Sequence, residues 1–339
     1  MCIALVTTAH PKYALIAIDN RDEYILRPTS RPHWWTHEPS GTRILSARDL
    51  HRQERGTWMG VTSAGRIAIL TNYRESPRDD PDKNIEGVRS RGVLPTAWFT
   101  APVGESLDGF VQRMLDDPKT RAVGGFSLIC GDLKLKADTG IEPLAIISNR
   151  CDKFAEVPRI GAQRGATYAL SNTIYIEPPT WPKIQNGKRL LEEALRDIGE
   201  TDLSETELME RLLTVLDNDT MPVGPEASML EHMNALRHSV FIPAFADEQG
   251  WREMAEAREQ GRGQPPFDEA DDSKEPRSPP RTDPTTNFLK GAYGTQRQTV
   301  VLVDWDGNVT YMERALWDMH GNKLENGKGD QIVKFRIDS

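Results

Sequence analysis

The first 23 residues, Met1–Glu23, read MCIALVTTAHPKYALIAIDNRDE and decide the fold. They hold two apolar runs, MCIALV and YALIAI, on either side of the turn-like triplet HPK. Apolar runs of this length between turn residues are typical of buried β-strands. We therefore predict two buried strands at the start of the chain, the second of which ends in the polar sequence DNRDE at residues 19–23.

Further strands are predicted along the chain, several of them in hairpins. TWMGV and RIAIL flank Gly65, which can supply the positive φ of a tight turn, and TVVLVDW and NVTYMER flank the pair Asp306-Gly307. FSLIC, LKLKA and PLAII within residues 125–147, and VKFRI at residues 333–337, have the same strand-like composition.

Helices are predicted between these groups of strands. Apolar residues recur at helical spacing from Leu107 to Leu115, and Pro118 ends that run. A second helix is predicted over residues 183–199, and a third begins at the capping box Ser204–Glu207. Groups of strands separated by groups of helices indicate an α+β protein with helices packed on a largely antiparallel sheet.

Residues 245–288 differ from the rest in composition. Between Asp247 and Asp283 there are 11 acidic and 6 basic residues, a net charge of −5, with many Pro and Gly residues. Such a segment buries too little apolar surface to offset the entropy of ordering the chain. We predict a single domain over residues 1–339 with a disordered insertion at 245–288, in which Trp251–Glu259 is suited to a short helix.

The composition excludes several classes of function. The 339 residues carry 42 basic and 51 acidic side chains, a formal charge of −9, which is unlike a general nucleic-acid binder or a protein held on anionic membranes by charge. No apolar run approaches the ~18–20 residues that span a bilayer, and no signal or transit peptide is recognisable. Three cysteines are too few for a disulfide framework, so we predict a cytoplasmic protein.

No cofactor or metal site is predicted. The glycine patterns of a P-loop and of a dinucleotide fold are absent. His33 and His37 have the spacing of two helical metal ligands, but their neighbours do not resemble a helix and no CxxC pair accompanies them. A metal site needs three or more converging ligands, so we do not predict one there.

Cys2 is the residue that suggests chemistry. Methionine aminopeptidase removes Met1 when the second residue is small, and Cys is small enough. Removal would join a thiol and a free α-amine in one residue, and an α-amine with a pKa of ~7.7–8.0 can accept the thiol proton and later return it to a leaving amine. The alternative is that Cys2 is a small apolar residue that begins a buried strand.

The polar sequence that ends the second strand supplies possible partners for that thiol. A cation beside a cysteine lowers the pKa of its thiol, and a carboxylate can hold an α-ammonium group in place. Residues 19–23 contain both kinds of charge. The alternative is that these residues form a solvated turn.

At these residues the chain resembles a known family. MCIAL followed by NRDE at residues 20–23 is similar to the NRDE family, also called the transport and Golgi organisation protein 2 family. Further motifs occur in the family's order: GTWMG at 56–60, LTNYR at 70–74, SRG at 90–92, GF at 125–126, SNR at 148–150, LSN at 170–172, WPK at 181–183 and YGT at 293–295 with Thr299. Together they cover about residues 1–314, and the 245–288 segment departs from the family pattern as an enlarged insertion.

The resemblance implies a fold and an activity. The family is similar to the N-terminal-nucleophile hydrolases, so a four-layer αββα sandwich is expected, and the relatives nearest in layout are the bile-salt and penicillin V acylases. By this resemblance, Cys2 would be the nucleophile, Arg21 would lower the pKa of its thiol, and Asp22 would orient the α-amine.

The resemblance also assigns three later residues. Asn72 would occupy the oxyanion-hole position, and Asn172 of the LSN motif would contact the α-amine or the intermediate. Arg297 is similar to the late arginine of the acylases. For the two asparagines, the alternative is an ordinary turn residue at the end of a strand.

One departure from the acylases concerns the charged pair. The acylases have two residues between their arginine and aspartate, whereas Arg21 and Asp22 are adjacent. Neighbours on a regular strand point to opposite faces, so either the backbone bends or only one of the two faces Cys2. Asn20 and Glu23 are the second-rank candidates for the vacant role.

Two functions follow from the resemblance. The family's name implies a role in secretory transport and Golgi organisation. In this first function the protein would also hydrolyse amides, with Cys2 as the nucleophile. The alternative is a non-enzymatic carrier of a small or lipid-like ligand, haem included, on the same scaffold. Either function allows a cytoplasmic protein that associates peripherally with the Golgi or with mitochondria.

Overall fold

The computed structural model describes residues 2–73, 90–121, 123–136, 140–198, 203–267 and 288–338. In these ranges the strands are β1 Ile3–Thr7, β2 Tyr13–Tyr24, β3 His33–His37, β4 Thr42–Ser46, β5 Met59–Thr62, β6 Arg66–Asn72, β7 Phe126–Asp132, β8 Leu135–Lys136, β9 Gly140–Ile141, β10 Leu144–Ser148, β11 Arg159–Ile160, β12 Thr167–Ser171, β13 Tyr293–Asp304, β14 Asn308–Ala315 and β15 Asp330–Arg336. The α-helices are α1 Val93–Phe99, α2 Leu107–Asp116, α3 Pro118–Arg121, α4 Pro182–Ile198, α5 Glu205–Leu216, α6 Met229–Ala235 and α7 Glu248–Gln260.

The described strands form two large antiparallel sheets. The first has the order β12-β1-β2-β13-β14-β15, and the second has the order β11-β10-β7-β6-β5-β4-β3. β1 pairs on both sides, since Ile3 lies opposite Asn20 of β2 and opposite Ser171 of β12. The two strands predicted from the amino terminus therefore lie in the interior of the first sheet.

The side chains that alternate along β1 and β2 show which layer lies on each face of the first sheet. On β1, Ala4 and Val6 face the second sheet and pack in a core with its residues, among them Val61 and Ile69. Ile3 and Leu5 of β1, together with Ile16 and Ile18 of β2, face the opposite way and pack against helices α4 and α5. Because successive side chains of a strand point to opposite faces, the first sheet lies between the helices and the second sheet.

The second sheet is covered on its outer face by another helical layer. Leu70 and Leu128 pack there against Trp98 of α1 and Phe110 of α2. Cys130 belongs to the same core and is fully buried. The order of layers is therefore helix, sheet, sheet, helix, which confirms the four-layer αββα sandwich.

Local signals for turns and caps are confirmed. Gly65 and Gly307 both have a positive φ, at 86° and 80°, in the β5–β6 and β13–β14 hairpins. Ser204 and Glu207 form the reciprocal capping box that begins α5. Helix α4 begins at Pro182, a residue that suits the first turn because its missing N–H has no partner there in any case.

Two predicted elements differ from the structure. Among the described residues of LKLKA, Leu135–Lys136 forms the short strand β8, which pairs with Gly140–Ile141 outside the two large sheets. In the segment predicted to be disordered, the short helix predicted over Trp251–Glu259 is part of the longer helix α7, whose Met254 is fully buried. The Met254 side chain packs with Ile25 and Ala292 and so holds α7 against the fold. The charged composition of the segment gives no sign of this contact. Residues 268–287 of this segment, and Arg74 of the LTNYR motif, lie outside the described residues.

His33 and His37 lie at opposite ends of strand β3 and not on a helix. Four residue steps along the strand separate their backbones by about 13 Å, which is too far for one ion. The Nδ1 atoms contact the Arg31 carbonyl and the Ser40 hydroxyl, each at 2.9 Å.

Removal of a buried leucine from the helical layer should destabilise the protein. Leu212 of α5 is fully buried, so Leu212→Ala leaves a cavity and should lower the free energy of unfolding by about 2–5 kcal/mol. Leu230→Ala removes the same atoms from a side chain that is 70% exposed, and should change it by less than about 0.5 kcal/mol. Urea unfolding of both variants checks this, and equal losses would contradict the assigned layer.

Candidate active site

Cys2 lies immediately before β1, at the end of that strand. The Ser171 hydroxyl on β12 donates a hydrogen bond of 2.6 Å to the Cys2 carbonyl. The Cys2 Sγ lies 3.9 Å from the backbone oxygen of Asp22 on β2. Strand pairing on both sides of β1 therefore holds Cys2 at the NRDE end of β2.

The surroundings of Cys2 favour the neutral thiol. Its side chain is half-buried, and this burial raises the pKa of the thiol to about 11. The nearby Asp19 and Asp22 also raise the pKa, while the positive amino terminus lowers it. At neutral pH the thiol is therefore protonated in this structure, and a nucleophilic attack would need a base to take the proton.

Asp22 is held on several sides. Its Oδ1 accepts a hydrogen bond of 2.8 Å from the Thr295 hydroxyl, and its Oδ2 lies 3.5 Å from the Lys183 ammonium. The Tyr293 hydroxyl donates to the Asp22 backbone oxygen at 3.0 Å. Strand β13 and helix α4 thus fix both the carboxylate and the backbone of the residue that contacts Cys2.

Arg21 points away from Asp22. Its guanidinium donates to the Gln296 side-chain oxygen, lies 4.4 Å from the centre of the Trp58 ring, and is 4.0 Å from the Glu23 carboxylate. Trp58 belongs to the core between the two sheets, whereas the Lys183 partner of Asp22 comes from the helical layer. β2 continues as a strand through both residues, and the register shift at this point lies on β13, where Gln296 is the extra residue, so the two charges stay on opposite faces.

Asn72 and Asn172 follow the two residues of a hydrogen bond that joins the sheets. The Thr71 hydroxyl on β6 donates to the Ser171 carbonyl on β12 at 2.9 Å, and so joins the two sheets beside Cys2. Asn172 is 4% exposed, and within the described part of the chain its Oδ1 accepts no hydrogen bond.

Arg297 is buried farther along the first sheet. It lies opposite Arg21 in the β2–β13 register and 3.8 Å from Glu313 of β14. It also donates to the Trp317 carbonyl at 2.7 Å, and burial lowers the pKa of its guanidinium to about 10, against the opposing effect of Glu313. These contacts place Arg297 in a buried cluster with Glu313 and the Trp317 carbonyl.

The second-rank residues have structural partners. The Asn20 amide donates to the Leu216 carbonyl at 2.7 Å and to the Val240 carbonyl at 3.0 Å, so it ties β2 to the end of α5. Glu23 lies 3.6 Å from Arg27 and accepts a hydrogen bond from the Tyr24 N–H. Neither arrangement requires a catalytic role.

Two charged residues of the site were absent from the sequence-based candidates. Lys183 is fully buried beside Asp22, and its only sequence signal is membership of the WPK motif. Asp19 is 1% exposed, and burial together with the nearby Asp22 raises the pKa of its carboxyl well above the usual value, although Arg21 and Lys183 oppose this. Its signal is a carboxylate at the end of a strictly apolar strand.

The structure offers few other chemical sites. Among the residues it describes, no three His, Cys, Asp or Glu side chains are grouped so as to hold a metal ion. No helix in the same ranges has the length and apolar character needed to cross a membrane.

The buried Asp19 carboxyl should make stability depend on pH. A carboxyl whose pKa is raised in the folded state binds protons more tightly there, so its contribution to stability is lost as the pH rises above the unfolded pKa of ~3.9. Relative to Asp19→Asn, the wild-type free energy of unfolding should therefore fall between about pH 4 and pH 7. Urea unfolding at both pH values measures this difference.

The control is Glu38→Gln, which removes an exposed carboxylate. Its free energy of unfolding should follow the wild type at both pH values. Parallel pH dependence of Asp19→Asn and wild type would contradict the assignment to Asp19.

The chain is similar to proteins of one family along most of its length. The family model described as "Transport and Golgi organisation 2" matches residues 1–318. The transport and Golgi organization protein 2 homolog of Homo sapiens is 30% identical over 309 residues, which cover 90% of this chain and 88% of that protein. An uncharacterised protein of Saccharomyces cerevisiae is 25% identical over 357 residues, 99% of this chain and 100% of that protein.

Among solved structures, a variant of the conjugated bile acid hydrolase from Clostridium perfringens aligns with a TM-score of 0.37 and 11% identity. The alignment covers 99% of this chain and 92% of that one. The layer order described above, and not this likeness, establishes the αββα arrangement. Since the family model and the human relative both span most of the sequence, the chain belongs to the Transport and Golgi organisation 2 family.

Proposed function

We propose that this family member hydrolyses a linear amide at Cys2, and that this activity serves secretory transport and Golgi organisation. The observation that carries the proposal is the position of the Cys2 thiol at the end of β1, 3.9 Å from the backbone oxygen of Asp22, while Asn72 and Asn172 follow the residues of the Thr71–Ser171 hydrogen bond. A thiol, a carboxylate and amide side chains at one strand end are the groups that amide hydrolysis uses.

The reaction would begin once Met1 has been removed. The Cys2 Sγ forms a bond to the amide carbonyl carbon, and the thiol proton passes to the α-amine of the same residue. The resulting ammonium returns that proton to the nitrogen of the leaving amine as the C–N bond breaks. Water then attacks the thioester, which releases a carboxylic acid and restores the thiol.

Burial explains why the base is required. With Met1 still attached, burial raises the pKa of the thiol to about 11, so little thiolate forms at neutral pH without an acceptor. In this proposal the α-amine is that acceptor, and Asp22 orients it from a carboxylate that Thr295 and Lys183 already hold. The Asn172 Oδ1 accepts no hydrogen bond from the residues that the structure describes, so it can accept one from the α-amine or from an N–H of the intermediate.

Asn72 is proposed to stabilise the oxyanion. It is half-buried at the end of β6, next to the Thr71 hydroxyl that joins the sheets beside Cys2. A side-chain amide in this position donates to the negative oxygen that develops in the tetrahedral intermediate. Arg21 and Arg297 are assigned no direct step, because their contacts lie with Gln296, Trp58 and Glu313.

The test combines mass, labelling and turnover. Intact mass of the purified protein should show loss of Met1, and an electrophile should label Cys2 stoichiometrically. Amine release from a panel of linear N-acyl amides should be abolished by Cys2→Ser and slowed roughly 10²–10³-fold by Asn72→Ala, since one oxyanion donor is lost.

Cys151→Ser is the matched control for the nucleophile. Cys151 is also half-buried, and its Sγ donates to the Lys153 carbonyl at 3.3 Å, away from the site. Its substitution should leave amine release unchanged. Retention of Met1, or undiminished release by Cys2→Ser, would contradict the proposal.

The raised pKa of the Cys2 thiol favours a second candidate, a carrier without turnover. In that case the scaffold would hold a small or lipid-like ligand, or haem, and a cytoplasmic protein would deliver it at the Golgi or mitochondrial surface. A cellular transport defect that Cys2→Ser repairs as well as wild type does would favour the carrier over the hydrolase.

A further inference from the structure

Lys183 is an unusual residue in its place. Its side chain is fully buried, and its ammonium lies 3.5 Å from the equally buried carboxylate of Asp22. Burying two charges is costly, and their attraction repays this only when the geometry is favourable. Lys183 is also in the first turn of α4, where the helix dipole disfavours a cation.

The packing of α4 brings this ammonium to the start of β1. Gly187, one turn after Lys183, lies so close to β1 that an added Cβ would be 3.1 Å from the Ile3 Cδ1 and 3.2 Å from the Leu5 Cδ2. Residues four apart share a helix face, so Lys183 lies on the same face, one turn nearer the amino end of the helix. The glycine thus permits the close approach that delivers a lysine to Asp22.

Other contacts fix Lys183 in this position. Its backbone N–H donates to the Arg237 carbonyl at 3.0 Å, so the first turn of α4 is anchored to the segment after α6. On the other side of the pair, Thr295 donates to the remaining oxygen of Asp22. Lys183 is a buried cation and lies at a helix amino terminus, and both features are unfavourable. Residues that are locally unfavourable in a well-ordered site are expected to serve a function.

We propose that Lys183 is a positioning residue of the Cys2 site: it holds the Asp22 carboxylate in place and supplies the buried positive charge that favours the Cys2 thiolate. This inference rests on the proposed function, because it concerns the activation of the same thiol. It adds a residue from the helical layer to a site otherwise made of strand ends.

The charges around Cys2 show why a cation matters there. From β2, Asp19 and Asp22 oppose the thiolate. From α4, Lys183 feels the charge of Cys2, and so does Arg91 from the segment before α1. Tyr293 of β13 faces the same group, and burial raises the pKa of its hydroxyl well above the usual value, so it stays neutral.

The positive charge of Lys183 acts in the same direction on the pKa of the Cys2 thiol and on the pKa of the α-ammonium group. A nearby cation lowers the pKa of a thiol and lowers the pKa of an ammonium group, so it favours the thiolate and the free α-amine together. Burial lowers the pKa of Lys183 itself, while Asp22, Cys2 and Asp19 act to keep it charged. Removal of this charge would leave Arg91 as the remaining cation of this set to oppose Asp19 and Asp22 at the thiol.

The experiment measures the rate at which iodoacetamide alkylates Cys2 between pH 6 and pH 10, followed by mass spectrometry of the Cys2 peptide. Lys183→Met should move the rate profile to higher pH, and alkylation at neutral pH should slow about tenfold if the thiol titrates one pH unit later. Lys183→Arg keeps the charge and should restore most of the wild-type profile.

Lys188→Met is the control on the same helix. Lys188 is ion-paired with Glu177 at 3.1 Å and is partly exposed, so its loss should not move the profile. An unchanged profile in a folded Lys183→Met variant would overturn the inference, as would an equal displacement of the profile in Lys188→Met.

A second pair of variants covers the case in which Lys183→Met fails to fold. Asp22→Asn removes the carboxylate, and the double variant Asp22→Asn with Lys183→Met leaves no unpaired buried charge from this pair. Alkylation should be slower in the double variant than in Asp22→Asn, because only the lysine charge differs. Equal rates would overturn the inference.

The readout separates this inference from the proposed function. Alkylation does not require turnover, so a displaced profile in a protein that releases no amine supports Lys183 and contradicts the hydrolase. Amine release with an unchanged profile supports the hydrolase and contradicts the role of Lys183.

Discussion

Pairing of β1 on both of its edges is the constraint on which the site depends. Each residue of Ile3–Thr7 lies opposite a residue of β2 and a residue of β12, so the strand has no freedom to slide. A shift by one residue would turn Ile3 and Leu5 away from the helices and Ala4 toward them. The residue before the strand is consequently fixed between the NRDE end of β2 and the LSN end of β12.

The same alternation divides the NRDE sequence between two environments. Asn20 and Asp22 face the helical layer, where they bond α5, the segment near Val240, and α4. Arg21 faces the space between the sheets, over Trp58. Consecutive polar residues can therefore be buried together, because each face supplies partners of the matching kind.

Much of the framework could be predicted because its signals are local. Apolar runs predicted β1 and β2, and glycines between apolar runs predicted the hairpins at Gly65 and Gly307, where φ is positive. A capping box predicted the start of α5. Strand β3, with the sequence HWWTH, and the burial of helix α7 in the fold were less accessible to this reasoning. Their few apolar residues are buried by distant parts of the chain, as Met254 is beside Ile25.

The site was only partly accessible from sequence, for a physical reason. Cys2 was identified from its place after a removable Met1 and Asp22 through a resemblance, but the burial of Lys183 depends on a tertiary approach that Gly187 permits. Lysines are rarely buried, so spacing and composition place such a residue at the surface. Likewise, the partners of Asn20 and Arg297 are backbone carbonyls and an ion from other elements, which no local pattern specifies.

The Ser171 contacts have a mechanical consequence. Thr71 of the second sheet donates a hydrogen bond to the Ser171 carbonyl of the first sheet. The Ser171 hydroxyl in turn donates to the Cys2 carbonyl in the same first sheet. A change in the separation of the two sheets at Thr71 would therefore be transmitted through Ser171 to the backbone of Cys2. The position of Cys2 thus depends on how closely the two sheets pack at this point.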